Sequence, residues 1–153
     1  MGDAEKTFKK VLAVFARDKK IKVIKKSSLY KTEPVGVREQ PFFTNAVLEI
    51  KTKLTPKELL KYVKAVETAC GRKERDKWQP REIDIDILLY GDKIIKTKKL
   101  TIPHPRLHKR RFALAPLAEI AKEVAHPVLM KSIEEILKSC DDNSRVERIA
   151  KAR

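Results

Sequence analysis

The stretch Trp78-Gln79-Pro80-Arg81-Glu82-Ile83-Asp84-Ile85-Asp86-Ile87-Leu88-Leu89-Tyr90-Gly91 decides how the rest of the chain is read. Ile83 to Tyr90 is dense in β-branched and leucine side chains and ends at a glycine, which predicts a strand. Side chains alternate across a strand, so Asp84 and Asp86 share one face while Ile83, Ile85 and Ile87 take the other. Two neighbouring carboxylates repel each other, and they persist together where a cation or an arginine lies between them. The plainer alternative is a solvated strand face. A cation held only by oxygens would be Mg²⁺, which keeps several waters and is commonly shared with substrate phosphates. A nucleotide is therefore the ligand class to look for.

Ahead of this stretch, Arg72 to Arg81 is a charged loop carrying the only tryptophan, Trp78. Before it, Thr55-Pro56-Lys57-Glu58 is a capping box with proline at the first helical position. Leu59, Val63, Val66 and Cys70 then recur on one face, and Gly71 supplies a stop. Ile21 to Thr32 and Phe42 to Thr52 read as strands separated by a long loop through Glu33-Pro34-Val35-Gly36 and Pro41. From Asp3 to Arg17, Phe8, Val11, Leu12 and Phe15 fall at helical spacing.

Beyond the stretch, Gly91-Asp92 turns the chain toward a short strand at Ile94-Ile95. After Pro103-His104-Pro105, short helices are predicted over Leu107 to Leu114, Pro116 to Val124 and Ser132 to Leu137, the second opened by its proline. The order of helix, strand, strand, helix, strand and small helices describes an α+β sandwich, with helices on one side of a mainly antiparallel sheet. At 153 residues the chain suits a single domain spanning 1–153.

Hydrophobic residues make up 42% and charged residues 37%, the balance of a folded globule with a heavily solvated surface. No apolar run approaches the ~20 residues that cross a bilayer, and Met1-Gly2-Asp3-Ala4-Glu5-Lys6 lacks a signal-peptide layout, so a cytoplasmic protein is expected. Cys70 and Cys140 form no C-x-x-C and read as reduced structural thiols. The net charge of +15 attracts polyanions: nucleic acid, anionic membrane or a phosphorylated small molecule. Lysine pairs such as Lys9-Lys10 and Lys98-Lys99 are most simply a solvated face.

With 4 glycines in the chain, neither a P-loop nor a G-x-G-x-x-G turn can be written, so any triphosphate must be held by side chains. Arg72, Arg75, Lys77 and Arg81 before the carboxylates, and Lys99, His104 and Arg110 after them, are the cations placed for that work. Taken singly, His104 reads equally as a loop histidine, Asn45 as a strand-end residue and Phe112 as core.

The quoted stretch closely resembles the signature of the hydroxymethyldihydropterin pyrophosphokinases. The resemblance continues through Leu100-Thr101-Ile102-Pro103-His104-Pro105-Arg106-Leu107-His108, Arg110-Arg111-Phe112 and Pro116-Leu117. Backward it takes in Ser27-Ser28-Leu29-Tyr30, Thr32-Glu33-Pro34-Val35-Gly36 and Gln40-Pro41-Phe42-Phe43-Thr44-Asn45, so it covers nearly the whole chain. It implies a ferredoxin-like α/β sandwich and transfer of pyrophosphate from ATP to 6-hydroxymethyl-7,8-dihydropterin in folate biosynthesis.

By the same resemblance, Thr32, Pro34, Val35 and Phe43 would line a pterin slot, with Asn45 reading the ring edge, Phe112 stacking on the ring, and Trp78 contributing from its loop. The implied ATP contacts are Leu60, Glu67 and Ile87 together with Arg72, Lys77, Arg81, Lys99, Thr101, His104 and Arg110. Asp84 and Asp86 would hold two Mg²⁺ ions. Arg81 and Lys77 would close over the triphosphate and join the carboxylates as the catalytic set.

The family pattern is departed from at Gln79, where glycine is expected, at Lys77, where arginine is usual, and at Glu74, near a usually basic position beside Arg75. Lysine offers a point charge in place of a bidentate fork, so the expected effect of Lys77 is on rate. Members of the family also begin with an apolar strand leading into a Gly-Ser-Asn-type loop, of which only Gly2-Asp3 remains here. The fold is thus expected without that first strand, through truncation, in preference to a gap filled by another segment or a degenerate homologue. Two other functions compete: a noncatalytic homologue that binds nucleotide or a partner, and a basic nucleic-acid-binding module.

Overall fold

The computed structural model describes residues 2–32, 43–70 and 83–150. They fall into two compact units, one drawn from Met1–Val23 and Ile50–Ile87, the other from Ile24–Glu49 and Leu88–Arg153.

In the first unit, helix α1 (Gly2–Arg17) buries Val11 and Phe15 and half-buries Phe8 and Leu12, the four positions its spacing singles out. Helix α2 (Pro56–Ala69) begins on the capping box: Glu58 N–H donates to Thr55 Oγ1 at 3.2 Å and Thr55 N–H donates to Glu58 Oε1 at 2.9 Å. Both orphan donors at the helix start are thereby satisfied locally. Leu59, Val63, Val66 and Cys70 are buried along one face, as the spacing predicts. The Phe15 and Tyr62 rings meet at 5.9 Å between centroids. The expected stop at Gly71 lies outside the described residues.

Each of the long predicted strands is divided in two: β1 (Ile21–Lys26) and β2 (Leu29–Thr32), then β3 (Phe43–Asn45) and β4 (Leu48–Thr52). β1 pairs with β4, while β2 lies between β3 and a strand at the chain's end, β7 (Val146–Ala150), antiparallel to both. Two short strands, β5 (Ile95–Lys96) and β6 (Thr101–Ile102), form an antiparallel hairpin entered through Gly91, whose φ of +55° favours glycine. The break between β1 and β2 has a specific cause. Ser27 still exchanges hydrogen bonds with Val47, but the Ser28 N–H leaves the ladder for Glu119 Oε1 at 3.0 Å.

Glu119 belongs to helix α3 (Arg111–Ala121), which packs on β2 and β3 and against helix α4 (Ile133–Lys138). Leu107, Leu114, Leu117, Ile133 and Ile136 form the core of this second unit. α4 opens on its own capping box, Ser132 with Glu135, close to the predicted start.

Two expectations are corrected, and one strand lies where none was expected. Ile83 to Tyr90 is not a paired strand: none of its residues joins a ladder. β-propensity is a preference for a pleated surface beside a partner, and none of the described residues supplies one. Pro116 does not open a helix but lies inside α3, which joins the end of the first expected helix to the second, while Leu107–Lys109 forms a separate 3-10 turn and α3 stops at Ala121, short of the expected Val124. The Pro116 ring removes one intrahelical bond, a cost of about 3 kcal/mol or more, offset by near-complete burial in the core of this unit. Finally, β7 was not expected at all, because Val-Glu-Arg-Ile-Ala carries no strand signal apart from its pairing with β2.

Candidate active site

Over residues 83–87 burial still alternates without a ladder, and from Ile87 to Tyr90 the side chains are all half-buried. Asp84 and Asp86 are exposed, and Ile83, Ile85 and Ile87 are half-buried. The segment is tied at its centre: Ile85 N–H donates to Glu67 Oε2 at 2.5 Å, and Glu67 itself is fully buried on α2. Glu67 also meets Lys64 Nζ at 3.4 Å. Leu60, on the same helix, is half-buried.

Two carboxylates on one side of an extended backbone present oxygen donors only, which fits Mg²⁺. Among the described residues no cluster of three or more metal-ligating side chains occurs. A Mg²⁺ site built on one or two carboxylates and completed by phosphate oxygens and water needs none.

The second unit brings together another set. Register pairs Thr32 with Phe43 and Tyr30 with Asn45, so the four share a face of the β2–β3 ladder. Asn45 Nδ2 donates to Thr32 Oγ1 at 3.0 Å, and Thr32 Oγ1 donates to the Phe43 carbonyl at 3.3 Å. Thr32 is buried while Phe43 is 49% exposed, leaving an aromatic edge beside an oriented amide. Phe112, in the first turn of the helix packed on these strands, is half-buried, with the Arg110 guanidinium 5.5 Å from its ring centroid. That distance is within cation–π range.

Thr101 pairs with Lys96 across the hairpin, and Lys99 is exposed in its turn, which Thr97 closes through bonds to Leu100. His104 N–H donates to the Leu88 carbonyl at 2.9 Å, and its Nδ1 accepts from Arg106 N–H at 3.2 Å. The latter bond leaves the ring proton on Nε2. Pro34, Val35, Arg72, Lys77, Trp78 and Arg81 lie outside the described residues, as do Gln79 and Glu74.

Glu119 has no place in the sequence reading, yet it organises the strand that carries Thr32. Its carboxylate accepts from Ser28 N–H, from Ser28 Oγ at 2.9 Å and from Tyr30 Oη at 2.6 Å. Burial pushes its pKa up, but these bonds and the nearby Arg148 outweigh it and hold the carboxyl below its ordinary range. The available signal is that Glu119 is the lone acid in a helix that is apolar from Phe112 onward. A depressed carboxylate contributes stability above its unfolded pKa and loses it as pH falls through the folded value. Glu119→Gln is therefore expected to cost about 1 kcal/mol at pH 7, below the roughly 1.5–3 kcal/mol of hydrogen bonds to charged groups because the residue is exposed to solvent. Urea midpoints taken from pH 7 to pH 3 should show the gap to the unmodified protein closing below the ordinary carboxylate range. A gap independent of pH would contradict the assignment.

The family model described as 7,8-dihydro-6-hydroxymethylpterin-pyrophosphokinase matches residues 1–122. A 2-amino-4-hydroxy-6-hydroxymethyldihydropteridine pyrophosphokinase of Aquifex aeolicus is 50% identical over 115 residues, 75% of this chain and 72% of the relative. Its namesake from Bacillus subtilis is 43% identical over 124 residues, 81% of this chain and 74% of the relative. A folate synthesis bifunctional protein of Arabidopsis thaliana is 44% identical over 121 residues, 78% of this chain and 25% of that longer protein.

Proposed function

We infer from the chain's membership of the 7,8-dihydro-6-hydroxymethylpterin-pyrophosphokinase family that it transfers pyrophosphate from ATP to 6-hydroxymethyl-7,8-dihydropterin, giving AMP and the pterin pyrophosphate in folate biosynthesis. The observation that carries the reading to this chain's own residues is the exposed pair Asp84 and Asp86, held on a segment anchored from beneath by a buried carboxylate.

In the proposed reaction the pterin hydroxymethyl oxygen forms a bond to the β-phosphorus of ATP and gives up its proton to solvent, while the bond from that phosphorus to the α,β-bridging oxygen breaks, releasing AMP. Transfer of this kind depends on alignment and charge stabilisation more than on a dedicated base. Asp84 and Asp86 would hold two Mg²⁺ ions, whose chemistry is to neutralise phosphate oxygens and orient nucleophile and leaving group. The proposed phosphate cations are Arg72, Lys77, Arg81, Lys99 and Arg110, with Lys77 and Arg81 closing over the triphosphate. His104 would donate from Nε2, Thr101 would meet the nucleotide's polar edge, and Leu60 and Ile87 would supply an apolar ledge for adenine.

On the pterin side, Thr32 and Phe43 frame the slot, and the bond from Asn45 Nδ2 to Thr32 Oγ1 fixes which way the amide faces. An amide carries both donors and an acceptor, which suits it to reading the edge of a pterin ring. Phe112 would stack on the ring, and Pro34, Val35 and Trp78 would complete the slot. A flat heteroaromatic is well served by an apolar sandwich with a few oriented polar contacts. The proposed frame is one domain over 1–153, a ferredoxin-like sandwich, working in the cytoplasm. No described helix is long and apolar enough to cross a membrane.

The test is AMP formation by the purified chain with ATP, Mg²⁺ and the reduced pterin, after circular dichroism has established folding. AMP is expected to appear one for one with pterin consumed and to be absent without pterin. A folded chain that binds MgATP and yields no AMP would replace this reading with the noncatalytic one.

A further inference from the structure

We propose that Glu67 is a positioning residue for the metal-binding carboxylates, its buried Oε2 fixing the Ile85 N–H and with it the extended backbone from which Asp84 and Asp86 project. The proposal rests on the pyrophosphokinase reading, and it moves Glu67 from an expected nucleotide contact to a support beneath the site.

Glu67 is 0% exposed, so in this structure its carboxylate has no surface to offer a nucleotide. It occupies the buried face of α2 among Leu59, Val63 and Val66, where a leucine or methionine would pack without any cost of desolvation. A buried carboxylate costs several kcal/mol unless it is paired and hydrogen-bonded. Here the cost is offset by the Ile85 N–H at 2.5 Å and the Lys64 ammonium at 3.4 Å.

The bond falls between the two aspartates. An extended segment outside any ladder lacks the regular inter-strand bonds that fix a strand's position and rotation. One strong acceptor at Ile85 supplies that restraint at the central residue: alternation puts the side chains of residues 84 and 86 on one side, and the bond to Glu67 fixes the position and rotation of the backbone that carries them. A charged acceptor also makes a stronger bond than a carbonyl does. Loss of the anchor should free the segment to rotate and spread the two carboxylates, weakening a site that needs both.

Two substitutions separate position from charge. Glu67→Gln keeps the reach and an oxygen acceptor for the Ile85 N–H but removes the charge, whereas Glu67→Asp keeps the charge and shortens the reach by one methylene. Mn²⁺ binding in the presence of ATP, followed by electron paramagnetic resonance, reads the metal site without turnover, and calorimetry in excess EDTA reads ATP binding without metal. Glu67→Asp is expected to weaken Mn²⁺ about tenfold, the size of a charged hydrogen bond lost, and Glu67→Gln by no more than about threefold. Metal-free ATP affinity should stay within about twofold in both.

Unchanged Mn²⁺ affinity in folded Glu67→Asp overturns the proposal, and so does a Glu67→Gln that loses metal as severely as Glu67→Asp. A matching fall in metal-free ATP binding would return Glu67 to the nucleotide. Should Glu67→Asp fail to fold, Glu67→Met, which keeps the volume and removes the acceptor, takes its place: Mn²⁺ about tenfold weaker is expected of it, and unchanged affinity overturns the proposal. If the unmodified protein itself bound no Mn²⁺ with ATP, the pyrophosphokinase reading would fail first, an outcome distinct from any difference among the variants.

Discussion

Asp84→Ala and Asp86→Ala are each expected to lower Mg²⁺-dependent AMP formation by about a thousandfold while leaving the fold intact. The magnitude follows from what the carboxylates would do: holding a cation against developing phosphate charge is worth several kcal/mol, and ~4 kcal/mol is a factor of about a thousand. The fold should survive because both side chains are exposed on a segment outside any ladder, and surface substitutions of this kind usually shift stability by no more than about 0.5 kcal/mol. Raising Mg²⁺ should recover part of the rate if the remaining carboxylate still binds weakly. Steady-state AMP assays beside circular dichroism melts would check both halves. Undiminished turnover by a folded variant would remove the aspartates from the site.

The parts of the molecule legible in sequence are those whose causes lie within one turn of a helix or two residues of a strand. The start of α2 could be read because Thr55 and Glu58 satisfy each other's backbone donors, and the faces of Asp84 and Asp86 because alternation is a local property. What could not be read depends on residues far away in the chain. The division of the first predicted strand is made by Glu119, 91 residues beyond Ser28. Pro116 reads as a helix start on local preference, and only burial in the α3–α4 core explains why the helix runs through it. The Asn45–Thr32 bond depends on strand register, and β7 exists as a strand only by virtue of β2.

The same distinction applies to Glu67. Its position on the apolar face of α2 could be counted from the capping box, since Leu59, Val63, Val66 and Glu67 fall together at helical spacing. A carboxylate on such a face signals a buried partner but cannot name it. The partner is a backbone N–H, which every residue but proline carries, so no side-chain pattern could have pointed to Ile85.

Leu114→Ala should cost about 3 kcal/mol of stability, within the range of about 2–5 kcal/mol for a large buried side chain truncated in a tight core. Leu114 is 0% exposed and sits among Leu107, Leu117, Ile133 and Ile136, where neither α3 nor α4 can move in without breaking its partner's contacts. Pro116, two residues on, further limits relaxation, because the helix there already lacks one backbone bond and its ring is packed. Against a typical domain stability of ~5–15 kcal/mol the loss is large, equivalent to a urea midpoint about 1.5 M lower at a slope near 2 kcal/mol per molar. Leu129→Ala is the matching control, since Leu129 is 39% exposed and its truncation should cost no more than about 0.5 kcal/mol. Equal midpoints for the two variants would mean that the α3–α4 contact is not the core of its unit. The expected difference would place the helix carrying Phe112 and Glu119 on that core, so that packing beneath α3 sets how firmly the residues proposed for the pterin slot on that helix and the strands beside it are held.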